Sequence, residues 1–326
     1  MSLEIKDLAG ISQPITKLVE VVSSAIGSTF RPRSMKSEAD SKAYEIKTIA
    51  KANAEAAVIT KKIERSDIFS LVDTLAMSHP ELAERAKHRL LLREIEGQVN
   101  VEAIANHAAN ELPPTVSSEQ VNPDWRRKFF SEAENVCEQD MQLLWGKVLA
   151  GEISTPGVFS LRTLDALRHI SKHEAELFRK ACSLAMTDGW IAIPGRDLNN
   201  DLKPFGFRYK DILTLRDAGL FMDGDGIHKQ FTSDQPNIDL SKQEVVLFNN
   251  GVLIQLSGAG SLNLQISALL FTQVGTELQR LIEHAPCNEY LSALGSHLRS
   301  RSVVAKRGAN TPHGDGVSLI TFEEDL

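Results

Sequence analysis

The chain has 326 residues, 42% of them hydrophobic and 24% charged. That length suits two domains rather than one core, and the apolar content excludes wholesale disorder or a low-complexity chain. A formal net charge of -7 gives no bulk attraction to nucleic acid.

Cys137, Cys182 and Cys287 lie far apart with no CxxC spacing. This excludes a disulfide framework and a cysteine zinc site, and fits a reducing cytoplasm. No apolar run approaches the roughly 18–20 residues of a membrane span, and no charged-then-apolar leader opens the chain. A cytoplasmic protein is the expectation.

The first predicted element is an amphipathic helix starting at Pro14. Ile15, Leu18, Val19, Val22 and Ile26 recur at helical spacing, and Gly27 is its expected stop. Such a helix docks on its own domain, pairs with a second copy, or lies on a membrane. Lys17 and Glu20 on its polar face, in place of a lysine run, weaken the membrane role. An alanine-rich helix is expected over 37–77. It carries few bulky apolar residues before Ile68, so it needs a partner helix. A third helix is expected over 81–96, with Leu82, Ala86, Leu90 and Ile95 inward and Gly97 ending it. A short fourth follows over 98–112.

The stretch PPTVSSEQVNP, residues 113–123, reads as a linker. Beyond it, Asp124 is expected to cap a helix with Trp125, Phe129 and Phe130 on one side. A second helix carries Leu144, Trp145, Val148 and Leu149 and ends at Gly151. Pro156-Gly157 turns the chain, Ser160 caps a helix over 161–170, and Ser171 with Glu174 forms a capping box for the next. Trp145 and Phe159 flank this turn as anchors, and Glu152 and Arg162 are expected to pair across it. These four residues form the candidate structural or interaction motif.

From Trp190 onward the pattern changes to short strands. Runs at 190–193, 227–231, 245–248, 252–256 and 267–271 have strand length, and Asp223-Gly224-Asp225-Gly226 and Asn249-Asn250-Gly251 read as hairpin turns. Helices are expected over 209–218, 273–282 and 289–298, and a mobile tail from Arg299. The fold class is therefore mainly α. It comprises an N-terminal helical region over 1–112 for oligomerisation, the linker 113–123, a helical-hairpin core over 124–188, a winged-helix-like α+β part with antiparallel hairpins over 189–298, and the tail 299–326.

Motifs for chemistry are sparse. His169 and His173 stand four apart, but Ser171 between them places the pair across a helix junction and not on one face. A calcium loop opening at Asp223 requires glutamate at its twelfth position, where Asp234 stands. No GK[ST], GxGxxG or GxSxG occurs. No catalytic, metal or cofactor-binding residue is nominated, no cofactor is expected, and an enzyme ranks third among the functional readings. In the winged-helix-like segment, Arg208, Lys210, Arg216 and Lys229 are the candidate nucleic-acid contacts. Asp211, Asp217, Asp223 and Asp225 oppose phosphate there, so contact with protein is favoured over nucleic acid.

Several ordered pieces carry a family resemblance: GISQPITKLVEVVSSAIG at 10–27, QVNVEAI at 98–104, DWRRKFFSEAENV at 124–136, MQLLWGKVLAGEISTPGVFSLRTLDAL at 141–167, and a TxxGxEL element of Thr272, Gly275, Glu277 and Leu278. On these residues the chain resembles the bacterial domain of unknown function 2806 family. In the 141–167 run and TxxGxEL it is more weakly similar to the abortive-infection alpha proteins, which implies by analogy a role in defence against phage. The family brings no catalytic residues. The combined expectation is a non-enzymatic interaction protein that self-associates through its N-terminal helices and meets an unidentified protein partner. A nucleic-acid-binding regulator is the alternative.

Overall fold

The computed structural model describes residues 13–27, 30–32, 77–195, 197–231, 238–239, 244–249, 252–258, 264–282, 285–313 and 317–326. It divides into two compact units, Met1–Leu161 and Arg162–Leu326.

The first unit is helical. Helix α1 (Gln13–Ile26) buries Leu18, Val19 and Val22 against α2 (Pro80–Glu111), α3 (Pro123–Ala133) and α4 (Gln139–Ser154), so it docks on its own unit. Gly27 closes it in the left-handed region, φ 69°, and the Phe30 amide donates to Ser23 Oγ at 2.9 Å. The helix expected over 37–77 lies, but for its last residue, outside the described residues.

Two glycines expected as helix stops instead lie inside helices. A single helix, α2, runs through Gly97, where an added Cβ would stand 3.3 Å from Glu134 Cβ. Likewise α4 passes Gly151, where a Cβ would come within 2.7 Å of the Phe159 ring. Both glycines serve close approach, which offsets their helix cost of about 1 kcal/mol. At the start of α3, Asn122 and not Asp124 is the cap: its Oδ1 accepts from the amides of Asp124 and Trp125, and Pro123 takes the first turn. The expected linker 113–123 belongs to this unit. Val121 is buried, and the Ser117 amide donates to Ser154 O at 2.9 Å. The division falls at the start of α5 instead, because the segment has partners of its own.

The second unit begins within α5 (Leu161–His169) and continues through α6 (Lys172–Leu184), β1 (Trp190–Ala192), a 3-10 turn at Lys203–Phe205 and α7 (Tyr209–Asp217). Ser171 caps α6 in the expected capping box with Glu174. Strands β2 (His228–Phe231), β3 (Ile238–Asp239), β4 (Glu244–Asn249), β5 (Val252–Gly258) and β6 (Leu264–Leu270) follow. Then come α8 (Gln273–Gln279), α9 (Asn288–Ser300), β7 (Val303–His313) and β8 (Val317–Asp325). They form two antiparallel sheets, one ordered β1-β6-β2 and one ordered β3-β4-β5-β7-β8. Trp190, Phe207, Phe221, Phe231 and Tyr290 are buried in this unit, and the Tyr290 hydroxyl donates to Ala192 O at 2.8 Å.

Mainly α with an antiparallel C-terminal part is thus the architecture, with two differences in detail. The DGDG segment does not join two strands that pair with each other. Phe221 and β2, on either side of it, both lie along the β6–Phe271 segment, so the loop bulges from one side of a single ladder. Residues expected as a tail from Arg299 complete α9 and form β7 and β8. Leu326 is buried, its amide donating to Ala305 O at 3.0 Å. Their polar composition hides a strand whose partner, β5, lies some fifty residues earlier. Among the described residues no helix is long and apolar enough to cross a membrane.

Candidate functional site

The 141–167 run is organised around the C-terminus of α4. Trp145 is fully buried, its ring 5.2 Å from Phe129, which stacks on Trp125 at 5.0 Å. Gly146 lets α4 meet α2: a Cβ there would be 2.5 Å from His107 Cβ. The last carbonyls of a helix need outside donors. Thr155 N donates to Gly151 O, Lys17 Nζ to Ile153 O at 2.8 Å, and Ser117 N to Ser154 O. Lys17 also donates to Ser117 O at 2.8 Å, joining α1, the 113–123 segment and α4 at one ammonium. Desolvation pulls its pKa below the ordinary lysine value, against the opposing pull of Glu119, Glu152 and Glu20.

Glu152, fully buried, folds its carboxylate over the turn that follows. Oε1 accepts from the Gly157 amide at 2.7 Å and Oε2 from the Phe159 amide at 3.2 Å. A carboxylate clamping two backbone amides fixes a turn, and Gly157, φ 83°, supplies the backbone conformation the turn requires. Glu152 and Phe159 therefore meet at this turn, while Trp145 packs in the aromatic cluster with Phe129. Arg162 is exposed at the opening of the second unit.

Within the second unit, two sequence-distant pieces meet. Thr163, fully buried, donates its hydroxyl to Glu277 Oε2 at 2.5 Å, while Gln273 Nε2 donates to Oε1 at 2.8 Å. Thr272 caps α8 by accepting from the Gly275 amide at 3.1 Å, and its hydroxyl donates to Gly219 O at 2.6 Å. Gly275 lies against the backbone of Leu220, where a Cβ would come within 2.3 Å of the carbonyl oxygen. TxxGxEL is thus a device for seating α8 on the end of α7 while presenting Glu277 to α5.

The four candidate cations between Arg208 and Lys229 are mostly engaged. Arg216 Nη2 meets Asp225 Oδ1 at 2.9 Å and Gly224 O at 2.6 Å, with only 8% of its side chain exposed. Lys229 Nζ meets Asp188 Oδ2 at 2.5 Å and lies 5.1 Å from the Trp190 ring centroid. Arg208 Nε approaches Asp211 Oδ2 at 3.8 Å, and Lys210 is exposed. The Arg216 hydrogen bond, aided by one from Tyr209, holds Asp225 below the usual aspartate pKa. That commitment also takes Asp225 out of any calcium loop. His169 ends α5 and His173 lies in α6, so they share no helix. Among the described residues no group of three or more His, Cys, Asp or Glu is placed to hold a metal ion.

A family model described as "Protein of unknown function (DUF2806)" matches residues 84–190 and 196–295. The chain belongs to the DUF2806 family. The match spans α4, its turn, α5 and the TxxGxEL helix, and ends before β7. No curated protein and no solved structure matches the chain.

One surface of this DUF2806 chain was not legible as such. The first half of α2 is exposed on all sides: Leu82, Ala86, Leu90 and Ile95, expected inward, are all exposed. Leu91, Leu92, Ile95 and Val99, exposed by 47%, 47%, 51% and 61%, recur at three- and four-residue spacing on the side opposite the buried Gly97, Asn100, Val101 and Ile104. Periodicity revealed that apolar residues lie here but not that the packed body ends near Gly97.

Proposed function

We propose that this protein is a non-enzymatic, cytoplasmic interaction protein that self-associates through its N-terminal helices. The observation that carries the proposal is the apolar row of α2. Four large side chains at helical spacing, with no covering element among the described residues, mark a protein-contact surface. The run 141–167 supports the same reading, because its buried members Trp145, Glu152 and Phe159 are spent on structure. The three free cysteines fit a reducing compartment. Light scattering of the full chain from one to about fifty micromolar tests it. A dimer or larger species is expected, and a monomer throughout overturns the proposal.

The second part of the proposal concerns the α+β part. The sheet order β1-β6-β2, with α7 leading towards β2, supports a winged-helix-like assignment in which β3 to β5 extend the wing between β2 and β6. Its surface serves protein contact: Arg208, Arg216 and Lys229 meet carboxylates of their own unit. Leu213 on α7 is 42% exposed, as an apolar contact needs. Anisotropy titration with random duplexes should give no binding tighter than about micromolar at physiological salt. Nanomolar binding lost in Lys210→Glu would restore the regulator reading.

Defence against phage completes the proposal, supported by the likeness of residues 141–167 and 272–278 to the abortive-infection alpha proteins. Plating efficiency of a phage panel on cells with and without the protein tests that role, and equal efficiencies for all phages overturn it.

A further inference from the structure

We infer that the outward row of α2 pairs with the same row of a second copy, antiparallel, about a two-fold axis between Leu91 and Leu92. This rests on the self-association proposed above and specifies its partner and register. Side chains three and four apart share a helix face, so Glu84 and His88, both exposed, continue the row of Leu91, Leu92, Ile95 and Val99 towards the helix start. Lys87 and Glu94 border the row on one side; Arg85, Arg89 and Glu96 border it on the other.

In an antiparallel pair each border faces the same border of the partner, and every contact occurs twice. With the axis placed between Leu91 and Leu92, Leu91 stands beside the partner's Leu92, Ile95 beside the partner's His88, and Val99 beside the stem of the partner's Glu84. Lys87 then comes within reach of the partner's Glu94, and Glu96 falls between the partner's Arg85 and the partner's Arg89. Opposite charges meet along both borders, and the one like-charge approach, Glu81 with the partner's Glu102, falls at the ends of the contact. A parallel pair would set His88 against His88 and offer a single opposite-charge pairing, Arg89 with Glu94. Charge complementarity therefore selects the antiparallel arrangement. Arg85 meets Glu81 of its own helix at 3.7 Å in an exposed pair, which is readily exchanged for a new partner. The packed side of α2 lies opposite the row, so each copy keeps its own unit intact.

A charge-reversal cycle on the full chain tests this, with oligomeric state read by sedimentation and folding by circular dichroism. Lys87→Glu and Glu94→Lys should each raise the dimer dissociation constant roughly tenfold, because two attractions become repulsions. The double variant should return it to near the wild-type value. Leu91→Asp should leave a folded monomer. A dimer indifferent to all three substitutions, or one the double variant does not restore, overturns this register while self-association stands. A wild-type monomer, including one whose own chain covers the row, overturns both.

Discussion

The Thr163 hydroxyl donates to the Glu277 carboxylate at 2.5 Å, linking residues 114 positions apart inside the second unit. Both side chains are buried, so their energetics are governed by what happens when one is left without the other. Thr163→Val keeps the shape and removes a donor from a buried carboxylate. It should destabilise the protein by about 1–3 kcal/mol in urea unfolding. Glu277→Gln, which still accepts from Thr163, should cost less.

Gly146 and Gly151 should resist a substitution that normally helps a helix. Glycine to alanine in a helix interior usually gains about 0.5–1 kcal/mol. Here the new methyl meets His107 Cβ at 2.5 Å or the Phe159 ring at 2.7 Å. Each of Gly146→Ala and Gly151→Ala should instead lose about 1–3 kcal/mol, the cost of overpacking. A rise in thermal midpoint for either would show that the contact yields.

Trp145 and Arg162 should separate sharply. Trp145→Ala empties a fully buried ring site beside Phe129 and should cost about 3–5 kcal/mol. Exposed Arg162 should tolerate Arg162→Ala within about 0.5 kcal/mol. Parallel denaturant titrations of the two variants decide this.

Acid should weaken the latch between α7 and the DGDG loop. The folded state holds Asp225 below the ordinary aspartate value of 3.8, mainly through the Arg216 hydrogen bond. A carboxylate depressed on folding stabilises fully above the unfolded pKa, and that contribution fades as pH falls through the folded one. The stability gap between wild type and Asp225→Asn should therefore be constant from neutral pH to about pH 5 and close below about pH 4. Thermal melts across that range provide the check.

What was legible in the sequence was local. The amphipathic face of α1, the capping box at Ser171 and the Thr272 cap each depend on residues within a turn or two. What escaped depends on distant partners. Gly97 and Gly151 look like stops until Glu134 and Phe159 arrive beside them. Charge points Glu152 to Arg162, and no spacing rule shows that it also holds backbone amides of its own turn. β7 is largely polar beyond Val303-Val304-Ala305 and is accounted for by pairing with β5, whereas Val317, Leu319, Ile320 and Phe322 of β8 did carry a strand signal. Of Trp145, Glu152, Phe159 and Arg162, singled out together, Glu152 meets the Phe159 amide and Trp145 packs on Phe129. The task of Glu152, holding a turn, follows from contacts that no spacing rule contains.

The position of β6 in its sheet has a kinetic consequence. The strand is synthesised last of the three and lies between the other two, pairing Trp190 with Leu270 and His228 with Ser267. β1 therefore waits some eighty residues for its neighbour, and β2 has no edge to join until β6 arrives. The other sheet is completed later in synthesis, since β5 reaches β7 only after α9 has been made. Contacts this far apart along the chain are slow to form, because loop closure must be met before pairing repays it. On the ribosome the second unit cannot begin to close before most of it has emerged, whereas the helices of the first can pack while synthesis continues.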